Sequence, residues 1–241
     1  MLEEMGLTPV WRLRDHESSS ATARAESPQA VPADSRITEP SDRRGEIMSL
    51  EWPALKARVA SCIDCPLHAR RNKTVFGVGD EKAEWLFVGE GPGAEEDAQG
   101  EPFVGQAGRL LDSMLAAIKL KRGDNVYIAN MVKCRPPGNR NPEPKEALQC
   151  EPYLHRQIDL IQPKLIVALG KVAAANLLAT DASVASMRGK VHRYRGTPLV
   201  VTYHPAYLLR TLPDKAKAWA DLLFAVKTMR DLQGSASSPP K

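Results

Sequence analysis

Four cysteines, Cys62, Cys65, Cys134 and Cys150, follow the spacing C-x2-C-x68-C-x15-C, with the first two in the string CIDCP. Four thiolates suit either an all-cysteine zinc site or an iron–sulfur cluster. A thioredoxin-type pair would follow a strand and open a helix, whereas CIDCP follows a helical pattern and leaves two further cysteines without a role. The spacing is also not the double C-x2-C of a zinc ribbon. A second chemical stretch, GEGPGAEEDAQGEPFVGQAG at residues 89–108, holds six glycines, two prolines, five Asp or Glu and a lone aromatic, Phe103.

A third set is scattered. Asn130 interrupts an otherwise apolar strand pattern, where an amide is costly unless its hydrogen bonds are met. It either bonds neighbouring backbone or reads a polar ligand. His204 stands at a strand end before Pro205 in HPAYLLR, placed equally well for a structural or a functional role. Taken together, a carboxylate, an aromatic ring, a buried amide and a histidine fit a pocket for a flipped-out pyrimidine. The amide matches a base edge, the ring gives a stacking face, and the histidine stabilises a developing oxyanion.

The elements that must position these residues alternate. AEWLFVG reads as a buried strand before the acidic loop, and Leu110, Leu111, Met114, Leu115 and Ile118 line one face of the helix after it. VYIANMVK (126–133) and KLIVALG (164–170) read as further strands. The Pro-rich loop RPPGNRNPEPK leads to a helix from about Lys145, and KVAAANLLA to another. Residues 191–195 and 199–203 flank a turn. Asp214 is expected to cap a last helix with Trp219, Leu222, Leu223, Val226 and Met229 on one face. Strands separated by helices predict an α/β fold, a three-layer α/β/α sandwich around a short, mainly parallel central sheet. A loop between a strand end and a helix start is where such sheets place ligands.

Composition sets the boundaries. Residues 1–48 carry six Arg and nine Asp or Glu, a net charge of −3, and from residue 17 to 46 have little to bury. They are expected to be a disordered extension, dispensable for chemistry, with Met48 a possible true start. Residues 49–232 form the expected domain, and residues 49–241 together carry a net charge of +7 that gives modest support for a polyanion partner. Residues 233–241 are expected to be a flexible tail. No apolar run approaches the ~20 residues of a membrane span. The start also lacks a basic segment followed by an apolar one, so a cytoplasmic location is expected.

The acidic loop, the NMVKCRPP segment with Asn130, the four cysteines and HPAYLLR together resemble a family 4 uracil-DNA glycosylase, the iron–sulfur, thermostable type. The resemblance spans about residues 50–232. It implies hydrolysis of the N-glycosidic bond of deoxyuridine in single- or double-stranded DNA, leaving an abasic site for base excision repair. It also implies a monomer, remote from membranes, with DNA replication or repair proteins as partners. By the resemblance Glu90 positions water and His204 stabilises the departing uracil. Asn130 reads uracil N3 and O4, Phe103 stacks, and Glu96 packs near uracil C5. Gly89 and Gly91 let the backbone close on the base.

Arg135, Arg140, Tyr207, Leu208 and Arg210 are implied DNA contacts, and the four cysteines hold a [4Fe–4S] cluster. Ala206 stands where the family often has Ser. A related trapping group carries GEQPG and an Arg-rich insert; here Gly91 replaces that Gln and the insert is missing. The rival functions are a protein that binds or traps uracil-containing DNA, or a DNA-polymerase accessory module of the same fold. A nucleotide-phosphate loop is disfavoured, because no GK[ST] follows GEGPG.

Overall fold

In the strand Trp85–Gly89 every residue is buried, so its alternating side chains need cover on both sides of the sheet. Leu86 and Val88 pack with Leu154, Ile158 and Ala173, whereas Trp85 and Phe87 pack with Leu111, Leu115 and Ala225. Helices therefore lie on both faces, as the apolar runs required.

The computed structural model describes residues 40–236. In chain order the helices are α1 (Pro40–Ser49), α2 (Trp52–Ala60), α3 (Ala94–Gln99), α4 (Gln106–Ala117), α5 (Pro144–Ile161), α6 (Gly170–Leu178), α7 (Val184–Met187), α8 (Pro205–Arg210) and α9 (Lys215–Ala236). The strands are β1 (Val78–Gly79), β2 (Trp85–Gly89), β3 (Val126–Asn130), β4 (Leu165–Leu169), β5 (His192–Tyr194) and β6 (Thr197–Thr202), in the order β1-β3-β2-β4-β6-β5. β3, β2, β4 and β6 run parallel, and the short edges β1 and β5 are antiparallel. The expected three-layer sandwich is present. From β2 the chain steps outward to β3, then crosses back to β4 on the other side of β2. That reversal opens a crevice at the strands' carboxyl ends.

Three expectations change. The boundary expected after residue 48 falls inside the last turn of α1, whose Ile47 is fully buried beside Leu55, Val59 and Tyr153. One apolar residue, aimed correctly, holds a helix that composition alone reads as polar. Residues 1–39 lie outside the described residues. The expected tail from residue 233 continues the last helix to Ala236, and residues 237–241 lie outside. Finally, of the face expected on α9, Leu222 and Met229 are buried but Trp219 and Leu223 are exposed, and Ala218 and Ala225 complete the buried side. Asp214 precedes that helix in a short 3-10 turn, where it accepts from the Tyr207 hydroxyl at 2.6 Å and pairs with Lys217 at 2.8 Å. Among the described residues no helix is long and apolar enough to cross a membrane.

Candidate active site

Every strand of the parallel core delivers a residue to one cleft at its carboxyl end. Glu90 follows β2, Asn130 ends β3, Gly170 follows β4, and Tyr203 and His204 follow β6; all but β2's own last residue, Gly89, line a cavity of about 700 Å3. Gly89 lies beneath it. A methyl group there would meet Asn130 Oδ1 at 2.5 Å and the Phe103 ring at 2.6 Å. Gly89 thus lets ring and amide converge, and Gly91 does the same toward Val132, at 2.7 Å.

Asn130 is 2% exposed, and its Oδ1 has no hydrogen-bond partner among the described residues. A buried acceptor left unpaired costs ~1–3 kcal/mol, which a ligand donor would recover. Phe103, beside it, holds a left-handed backbone (φ 56°) that a bulky residue adopts only when its surroundings enforce it. Arg122 does so, donating to the carbonyls of Pro102 and Phe103, both at 2.8 Å. Gly108 leaves room, since any side chain there would strike the Phe103 carbonyl.

His204 caps α8. Its Nδ1 accepts from the Ala206 N–H at 3.1 Å, so the neutral ring carries its proton on Nε2. Its ring lies 5.5 Å from that of Phe103. Burial first, then the charge of Arg210, push its pKa down to about 4. The imidazole is therefore a neutral hydrogen-bond donor at ordinary pH. Gly170, in left-handed conformation (φ 88°), permits its approach, because a methyl group there would lie 2.7 Å from the His204 Cβ.

The acidic loop divides its labour. Asp97 is buried and accepts from Asn72 N–H and Nδ2 at 2.9 and 2.6 Å. Glu96 accepts from the N–H groups of Gly93, Val104 and Gly105 at 3.0, 3.0 and 3.2 Å. Glu96, implied by the resemblance to pack near uracil C5, lines the cleft while its oxygens staple the loop shut. Glu90, half-buried, has its pKa raised by burial, which suits a general base.

The expected DNA contacts fare unequally. Leu208 is a correction: it is 1% exposed and packs with Met114, Ala218 and Leu222, because α8 needs an apolar anchor. Tyr207 and Arg210 line the cleft, Tyr207 stacked on Tyr203 at 5.2 Å. Arg140 lines it too, but its guanidinium forks onto Glu146 at 2.8 and 2.7 Å. Arg135 lies outside the lining and donates to Asn139 at 2.7 Å. Gly170, Lys171 and Tyr203 were not singled out from sequence. The one available signal was a glycine directly after a buried strand.

The four cysteines, far apart in sequence, line a single second hollow behind the cleft, with Asp64, Arg71, Lys133 and Tyr153. Arg71 donates to Cys134 Sγ at 3.1 Å and the Lys133 N–H to Cys150 Sγ at 3.2 Å. Burial raises the thiol of Cys150 to about 12, so without a bound cation it keeps its proton. Among the described residues no three His, Cys, Asp or Glu side chains converge as one ion would need. α1 is tied to two residues of the hollow's lining. Arg43 reaches Asp64, inside CIDC, at 2.8 Å and the carbonyl of Gln149, beside Cys150, at 2.9 Å.

The family model of the uracil DNA glycosylase superfamily matches residues 76–223. A type-4 uracil-DNA glycosylase of Archaeoglobus fulgidus is 47% identical over 159 residues, 63% of this chain and 79% of the relative. One from Sulfurisphaera tokodaii is 46% identical over 163 residues, 64% of this chain and 74% of the relative. One from Thermotoga maritima is 44% identical over 176 residues, 72% and 89%.

Proposed function

Since the chain belongs to the uracil DNA glycosylase superfamily, we propose that it removes uracil from DNA by hydrolysing the bond between uracil N1 and the sugar C1′. The observation that carries this is the buried, unpartnered Oδ1 of Asn130 in the cleft, which lies with the Phe103 ring against Gly89. An amide edge in that position accepts from uracil N3–H and donates to O4, and the ring of Phe103 gives the flipped base a face.

Three demands then fall on three groups. The sugar gains positive charge as the bond to N1 breaks, and the Glu90 carboxylate favours that charge. The same carboxylate orients a water and takes its proton as oxygen bonds to C1′; the raised pKa makes it a stronger base than an ordinary glutamate. The bonding electrons leave with uracil as an anion spread over N1 and O2. His204 Nε2–H donates to O2, worth most when the charge is greatest. A neutral imidazole suffices, and its low pKa keeps it neutral.

The cysteine hollow fits a [4Fe–4S] cluster held by Cys62, Cys65, Cys134 and Cys150. The donors are all thiols, two sulfurs receive N–H bonds, and the four line a common space. Such a cluster supplies a cross-link between the loop after α2, the exit of β3 and α5; hydrolysis needs no electron transfer. The direct test is incubation of the protein with a single-uracil oligonucleotide, single- and double-stranded. Free uracil and an alkali-labile abasic site, formed over many turnovers, are expected. A stoichiometric adduct, or binding without release, would sink the proposal.

A further inference from the structure

We propose that Lys133 is a positioning residue for the base-reading amide, carrying the placement of the cysteine hollow to Asn130; this rests on the glycosylase reading above. Lys133 is 1% exposed and touches both sites. Its side chain lines the cysteine hollow and its backbone N–H donates to Cys150 Sγ at 3.2 Å. Its ammonium turns the other way, donating to the carbonyl of Asn130 at 2.9 Å and to Gln157 Oε1 at 2.6 Å. Gln157, fully buried, is itself fixed through a bond from its Nε2 to the Phe76 carbonyl at 2.9 Å.

A lysine is among the costliest residues to bury, and packing alone would be met by methionine at that length. What a cation adds here is a strong, directed bond to one carbonyl. That carbonyl belongs to the residue whose side chain has an unpartnered acceptor in the cleft. The amide is thus oriented through its backbone, by the β3 ladder on one side and Lys133 on the other. A small displacement there moves the amide against the base edge, where an error of ~1 Å is worth up to ~100-fold.

The test is a cycle of Lys133→Met with Asn130→Ala, read as the dissociation constant of free uracil, with iron per chain measured alongside. Lys133→Met is expected to keep its iron and to weaken uracil about tenfold, the lower range for a bond from a charged group. In the Asn130→Ala background the same change is expected to have less than about twofold effect, because the residue it acts through is gone. Equal factors in the two backgrounds, or no weakening in the parent, would overturn the proposal. If Lys133→Met fails to fold or loses iron, Gln157→Leu, which frees the ammonium from α5 but leaves it in place, enters the same cycle. Additivity there overturns the proposal equally. Release of uracil from DNA by the parent protein tests the underlying glycosylase reading separately.

Discussion

At the scale of single residues, His204 and Glu90 are expected to fail differently. Ground-state uracil is neutral, so the His204 donor contributes mainly as the bond breaks. His204→Ala should lower the single-turnover rate by ~10²–10³ with the Kd for uracil-containing DNA nearly unchanged. Glu90 repels a polyanion before reaction, so Glu90→Gln should lower the rate while binding DNA as tightly or more tightly. The sign of the pH dependence follows from the two shifts. Glu90 must be ionised, and its pKa is raised above its ordinary 4.5, so activity should fall as pH drops through a value higher than 4.5. His204, lowered to about 4, stays neutral across that fall and contributes nothing to it. The acid limb should vanish in Glu90→Gln and persist in His204→Ala; a limb that follows His204 instead reverses the assignment. Of the neighbouring carboxylates, Glu96 commits its oxygens to N–H groups of the acidic loop and Asp97 to Asn72, so neither is free to hold the water.

At the scale of elements, the acidic loop and α1 each depend on a few polar bonds. Glu96→Ala would leave three N–H groups of the loop without their acceptor, at a cost on the order of 1–3 kcal/mol for those that stay dry. A lower Tm and a raised KM, with the rate at saturation less affected, are expected from thermal melts and steady-state kinetics. α1 reverses an expectation. A chain begun at Met48 loses Arg43, with its ties to Asp64 and Gln149, and the buried Ile47. It should lose iron to a chelator faster than the full chain, whereas removal of residues 1–37 alone should not change that rate. Equal rates for all three would show that α1 does not guard the hollow. The strands were legible because fully buried parallel strands are written as unbroken apolar runs. α1 was not, because its hold is one isoleucine and two arginines whose partners, Asp64, Gln149 and Glu151, lie more than twenty residues on. Leu208 and Leu209 are adjacent and alike in sequence, and only the packing of α8 decides that the first is core and the second 38% exposed.

At the scale of the molecule, the net charge of +7 over residues 49–241 makes DNA affinity depend on counterion release. Kd should rise steeply with salt while the single-turnover rate at saturation stays flat; a flat Kd would mean that the positive charge lies away from the DNA. Purified protein should also be brown, with about four irons per chain; colourless protein with one zinc would end the cluster proposal. The overall architecture was legible because buried strands and helices have strong local patterns, and the cysteine grouping because the chain has four thiols in all, two of them in a C-x2-C pair. The convergence of Gly89, Gly108 and Gly170 on Phe103, Asn130 and His204 was not, because it exists only across the closed sheet.

That sheet has a consequence for how a base enters. Asn130 pairs with Gly89 in the β2–β3 ladder, and the pairing continues beyond the strands through Met131 N–H to Gly89 O at 2.9 Å and Val132 N–H to Glu90 O at 3.2 Å. The floor of the cleft is therefore part of the slowest-opening core. Two of its walls, α3 and α8, are helices of six residues each at the edge of that core. Amide hydrogen exchange should find protection at residues 129–132 near the limit set by global unfolding, and far less at 94–99 and 205–210. Admission of uracil is then a breathing of the walls around a template that does not move.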